Sequence, residues 1–487
     1  MVILLFGMAE MCIGFAGVIL ADFVPIFDTL VVLSGIAGLL AIAFCVTHPA
    51  NIKTYDILGM ALVIAYGTGT LNSLVSYALD NKDLLSSSSV SAYWLSRTLG
   101  LSTAAAGFLH IVGRFDSKGY LFPQFDSYDL QARRALWLVG ITAVVAVLFI
   151  ATGRIGFMGG LAAVQGSVEV STSAAIALEL MLPVGALALF LGLKVEQHNR
   201  KIIFISLALV LLLTQFGLGR RIFVFSLLIY LMAALLARRP KRLFSVRNIM
   251  ILAGAAMLAQ AATTGFFTLR LAKNMLNRQN ATPSIVELIP KAVSIYKDRE
   301  RLHLAEQIHE NVSSRTFVLE YLALLSSRAS QIEPAYGTNL VRALIMAAPS
   351  ILYPTKYKSP LFESEEDLLN PHFRLPVWDA ANSVLTASVG DFGEIGFFIL
   401  PGVICFIFSM VLRLTYYLAP PVAGMLVSFL ICRTFFSVED EVTAYFTSFR
   451  SIFIVLGISW LFFATKSFFV RPLRAATQVV SFDKQIP

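Results

Sequence analysis

The chain has 487 residues, 57% of them hydrophobic and only 14% charged, with a mean hydropathy of +0.76. A soluble globular protein carries about a quarter charged residues, so a water-soluble fold is excluded. The net charge of +8 is read as membrane topology, with no nucleic-acid partner implied.

Apolar runs separated by short polar breaks predict an all-α polytopic membrane protein with about twelve spans. In chain order these are 2–20, 27–46, 57–78, 92–112, 134–151, 174–193, 202–217, 222–237, 249–268, 391–412, 420–436 and 449–466. The first run lacks a basic flank and a cleavage signal and reads as a retained helix. Cys12, Cys45, Cys405 and Cys432 fall inside the runs without metal-ligand spacing and read as packing residues.

Basic residues alternate between breaks. Lys53, Arg114, Lys118, Arg133, Arg134, Lys194, Arg200, Lys201, Arg238, Arg239 and Arg413 mark one side. Asp22, Asp28, Asp80, Asp83, Glu169, Glu439, Asp440 and Glu441 mark the other. The positive-inside rule places the first set and both termini in the cytoplasm. The chain then divides into nine spans (1–269), an external cap (270–388), three spans (389–467) and a cytoplasmic tail (468–487).

GLGRR, residues 217–221, lies on the outer side between two short spans. Residues 202–237 fall short of the roughly 40 that two crossings need, which predicts a recessed turn. An arginine pair there either snorkels to lipid phosphates or binds a phosphate or pyrophosphate through its planar fork.

In the cap, Ser284 and Glu287 form a capping-box pattern, followed by an apolar face of Ile285, Leu288, Ile289, Ala292 and Ile295, with a kink predicted at Pro290. Residues 297–310 read as a charged helix and 315–327, beginning at Arg315, as an amphipathic helix lying in the membrane interface. His303 and His309 lack zinc-site spacing, and no metal or cofactor is implied. ESEED (363–367) reads as a solvated helix start after Ser364. His372, Arg374, Trp378, Asp379 and Asn382 mix groups that suit a sugar surface or an ordinary loop. In GDFGEIG (390–396), Asp391 and Glu394 stand at the head of a span, either near a ligand or favouring the helix dipole. Glu10, Glu179, Gln215, Gln260 and Arg433 are further intramembrane polar groups, and Arg433 falls at an outer end.

LLLTQFGLGRRIFVFSLLIYL (211–231), a late external loop and NSVLTASVGDFGEIGF (382–397) together resemble the bacterial O-antigen and exopolysaccharide repeat-unit polymerases. That resemblance implies an inner-membrane glycosyltransferase acting on the periplasmic face. It would move a glycan from undecaprenyl pyrophosphate to a lipid-linked repeat unit. Its partners would be lipid-linked oligosaccharides, membrane lipids, a flippase and a chain-length regulator. The catalytic set would be Arg220, Arg221, His372, Asp379 and Glu394, with Arg374, Trp378, Asn382, Arg433, Arg315 and His303 as substrate contacts. The base is open among His372, Asp379, Glu394 and His303. An O-antigen ligase and a transporter or flippase of lipid-linked sugars are the alternatives.

Overall fold

A computed structural model describes residues 2–79, 82–116, 119–122, 129–151, 172–218, 220–238, 246–277, 285–298, 317–348, 364–376, 382–438 and 441–463. These residues are helical, without a strand among them; an isolated bridge joins Lys53 to Tyr120.

The helices that accompany the first nine predicted spans are α1 (Val2–Leu20), α2 (Phe27–Thr47), α3 (Thr54–Leu79), α4 (Ala92–Phe115), α5 (Asp129–Ala151), α6 (Thr172–Lys194), α7 (His198–Leu218), α8 (Arg220–Arg238) and α9 (Val246–Asn277). The predicted cap contributes α10 (Ile285–Lys297), α11 (Phe317–Ala329), α12 (Thr338–Ala347), α13 (Glu365–Phe373) and α14 (Val384–Phe392). The chain returns as α15 (Gly396–Leu418), α16 (Pro421–Phe436) and α17 (Val442–Phe463). A helix accompanies every predicted span, and six segments are long and apolar enough to cross a membrane: Val2–Leu20, Phe27–Phe44, Thr54–Leu79, Ala132–Ile150, Val384–Leu418 and Val442–Phe463.

α1 shows how the bundle is built. Its buried positions are Ile3, Gly7, Glu10, Gly14 and Gly17, while Val2, Leu5, Met8, Phe15 and Ile19 point outward. Small and polar residues thus face protein and large apolar ones face out, the reverse of a soluble helix. The partner is α4, whose Gly100 and Gly107 oppose Gly14 and Gly7. A Cβ on Gly14 would lie 2.5 Å from both Ala104 N and Gly100 O, so the backbones touch.

α2 crosses the middle of α3 in the same way. There α3 widens into a π-helical stretch, Val63–Thr68, that presents Gly67 to Ser34 of α2. The wide turn also aims the Tyr66 hydroxyl at Ser383 Oγ, 2.7 Å away at the N-cap of α14.

In the cap, α10 forms as predicted despite Pro290, and Leu288, Ala292 and Ile295 pack on Ala272 of α9. Ile289, expected on that face, points away and is 52% exposed. Three expectations change. α11 does not lie in an interface: Val318, Leu319, Glu320, Tyr321, Leu322, Ala323 and Leu325 are all buried against α4 and α14. A helix apolar around its circumference belongs in a core, and Glu320 is accommodated by Ser88 Oγ, Ser89 N and Ser89 Oγ, all donating to its Oε1 at 2.8–3.1 Å. The helix predicted from 391 begins at Gly396, because Gly393, at φ 63° and ψ −150°, interrupts the Val384–Leu418 segment between α14 and α15. α9 continues unbroken past the boundary expected at 270, to Asn277. Residues 299–316 fall outside the described residues, and with them the predicted charged helix.

Candidate functional site

Polar contacts gather at the two ends of the bundle. At the end where the Lys53 and Arg114 breaks meet, Asp116 receives Arg413, and the Tyr416 hydroxyl donates to Leu121 O at 2.9 Å. The arginines of interest lie at the opposite end, with the cap helices.

Glu394 sits in the helical turn Gly393–Ile395 and pairs bidentately with Arg97 of α4, Nε to Oε1 at 2.6 Å and Nη2 to Oε2 at 2.8 Å. Fork-to-fork pairing of this kind is the strong form of the interaction. Asp391 is not at the head of a span. It is fully buried at the end of α14 and accepts from Asn339 N (3.0 Å), Asn339 Nδ2 (2.9 Å) and Leu340 N (2.9 Å) in the first turn of α12. The glycines around it are needed for close approach: Gly390 packs beneath Leu369, and Gly396 lies against the backbone of Ser388.

His372 is exposed near the end of α13, with Nε2 2.9 Å from Glu333 O. A carbonyl only accepts, so Nε2 carries the hydrogen and Nδ1 keeps its lone pair. The segment after Glu333 returns to the glycine knot, where Ala335 N donates to Gly390 O at 2.8 Å and Pro334 abuts Gly393. His372 and the turn that carries Glu394 thus both lie against the short segment Glu333–Ala335. Arg374 closes α13 in a left-handed conformation, φ 52°. Asn382 donates from Nδ2 to Glu366 Oε1 at 3.3 Å.

ESEED is a solvated helix start only in part. Ser364 and Asp367 form the capping box, but Glu365 is buried. Its Oε1 accepts from Thr386 Oγ1 at 2.8 Å, and its backbone N–H donates to Glu441 Oε1 at 3.4 Å, while Arg342 of α12 holds Glu441 at 3.1 Å. Burial, reinforced by the nearby Glu441 carboxylate, pushes Glu365 up from 4.5 to about 8. Below pH 4.5 this acid is protonated in the folded and the unfolded chain alike. From there to about pH 8 only the unfolded chain ionises, so stability falls with rising pH by a total of roughly 3–5 kcal/mol. Glu365→Gln is expected to flatten that slope in thermal melts of the detergent-solubilised chain; an unchanged slope would count against the assignment.

Arg433 of α16 has a local reason to point inward. Pro183 inside α6 has no N–H, which orphans the carbonyl four residues earlier. That carbonyl belongs to Glu179, and Arg433 Nη1 donates to it at 3.4 Å. The Glu179 carboxylate takes the Ser451 hydroxyl and lies 4.0 Å from Arg450, a loose pair. Beside it Met181 Sδ meets the Thr214 hydroxyl of α7 at 3.8 Å. Leu218, where α7 ends, is about 6 Å further along the helix. Gln215 at this level is buried, and its Nε2 has no hydrogen-bond partner among the described residues.

α7 ends at Leu218 and α8 begins at Arg220, and the two helices are tied together by Tyr230 OH donating to Ala208 O at 3.1 Å. With 21 and 19 residues, each helix is about 30 Å long. The length beyond the apolar stretch lies in the polar ends around His198, Lys201 and Arg238. The side chains of Arg220 and Arg221, and residues His303, Arg315, Trp378 and Asp379, lie outside what the structure describes.

Arg97 and Arg342 are paired with carboxylates, while Arg433 and Arg450 gather around Glu179. Arg97 and Arg450 were missed in the sequence, although a lone arginine in an apolar span is itself a signal. Compared with protein-family models, characterised proteins and solved structures, the chain gives no significant match.

Proposed function

We propose that this is a membrane glycosyltransferase that polymerises lipid-linked glycan repeat units. The observation that carries the reading is the convergence of the GLGRR turn, Arg433 and Arg450 at one end of the bundle, the end that also bears the cap helices. The donor's leaving group is a lipid pyrophosphate whose charge grows as the glycosidic carbon–oxygen bond breaks. Guanidinium groups in a dry site stabilise such charge by about 3 kcal/mol per donor. The acceptor hydroxyl attacks the same carbon and gives up its proton. His372 Nδ1 suits that base role better than Glu394, whose two oxygens are occupied by Arg97.

Arg220→Ala and Arg221→Ala are expected to abolish polymer in a complemented deletion strain, in at least one of the two, with membrane insertion intact. Arg→Lys at the critical position is expected to restore chains partly, because an ammonium keeps the charge but not the fork. Normal chain lengths from both alanine variants and from the double variant would remove the turn from the site. A ligase would leave finished polymer on its lipid carrier, and a transporter would move lipid-linked sugar in liposomes without forming a bond.

A further inference from the structure

At the level of the middle of α1, away from the arginine-bearing end, Glu10 is fully buried against α4. Among the described residues neither of its carboxylate oxygens has a hydrogen-bond partner. Its nearest ionisable neighbour is His110 of α4, Nε2 to Oε2 at 3.6 Å, in a ring environment shared with Phe6. The other ring nitrogen, Nδ1, lies 3.1 Å from Asp56 Oδ1 of α3. Asp56 in turn pairs with Arg114 and accepts Lys53 N at 2.9 Å. Beyond it, Asp116 receives Arg413 and its carbonyl accepts Lys53 Nζ. Tyr55 and Cys405 are the other titratable groups facing this column.

The charges decide the proton count. Asp56 pairs with Arg114, and Lys53 Nζ is held at the Asp116 carbonyl, so the group in contact with Glu10 that can carry a positive charge is His110. With Nδ1–H donating to Asp56, Nε2 is the one basic atom beside Glu10. A bare carboxylate beside a neutral imidazole, sealed inside the bundle, would cost several kcal/mol. The pair is therefore stable with one proton, carried either as the acid on Glu10 or as the imidazolium on His110.

We propose that Glu10 and His110 form an intramembrane proton-binding site, exchanging one proton along Asp56 with the end of the bundle that carries Lys53 and Arg413. The transfer is simple: a proton passes between Glu10 Oε2 and His110 Nε2, while Nδ1–H stays on the Asp56 side or is handed to its carboxylate. This site is separate from the arginines of the proposed transferase and does not depend on that reading. It is the kind of group a membrane protein uses to sense pH or to couple proton movement to a conformational change.

Infrared difference spectroscopy on the full chain in lipid nanodiscs, between mildly acidic and mildly alkaline buffer, tests it. The wild type is expected to lose a protonated-carboxyl band and gain a carboxylate band on alkalinisation. The wild-type-minus-Glu10→Gln double difference isolates Glu10 from Glu365. His110→Asn is expected to move that titration to higher pH, because the acid loses the one cation able to form beside it. If glutamine prevents folding, Glu10→Asp serves instead and is expected to displace the band. A band untouched by the Glu10 variant, or one that does not titrate, would overturn the proposal.

Discussion

Replacing Asp391 by alanine is expected to detach α12 from the body of the protein. The helix starts after Gly337, a left-handed glycine without a capping side chain; Thr338 N turns back onto Ala335 O, and the next two N–H groups look to another helix for an acceptor. Asp391 supplies one from α14, and its removal strands Asn339 N, Asn339 Nδ2 and Leu340 N in a buried site. Losing a buried charged acceptor from several donors costs about 3–5 kcal/mol. Arg342 lies on the same helix, so its hold on Glu441 and the packing around Glu365 are expected to loosen as well. Asp391→Asn keeps an acceptor oxygen and is expected to cost about half as much. Thermal melting and limited proteolysis of the purified chain read this out; an alanine variant that melts with the wild type would show that α12 is held by something else.

Gly14→Val is expected to be the most damaging change in α1, at about 3 kcal/mol. Its side chain would meet backbone atoms of Ala104 and Gly100, which cannot move aside. Gly457→Ala in α17 is the matched control, since a Cβ there meets nothing within 4 Å. That variant is expected to be neutral or slightly stabilising, because alanine restricts the unfolded chain. Equal melting temperatures for the two variants would mean that α1 does not pack on α4 through its glycines.

The helices were legible in the sequence because their apolar runs are long and the breaks are polar. What the sequence withheld concerns partners. α11 looked amphipathic when read alone, and only its position between α4 and α14 shows why Tyr321 and Leu325 are both inside. Asp391 and Glu394 read as a helix start carrying acids; instead each serves a different distant helix, α12 and α4. Arg433 was visible as an intramembrane cation, but its acceptor is open because Pro183 has no N–H to offer Glu179 O. Glu10 was visible as an intramembrane acid, whereas His110 and Asp56 drew no notice, since nothing local connects residues so far apart. Glu365 was hidden inside a run of acids whose neighbours are solvated.

The pairing of α1 with α4 also bears on how the protein is made. Glu10 is synthesised 100 residues before His110, which at cellular elongation rates is roughly 5–20 s. During that interval α1 has entered the bilayer without the helix that buries its acid. Its small-residue stripe then faces lipid or the insertion machinery. The first segment therefore inserts provisionally, and its final placement waits for the arrival of the fourth.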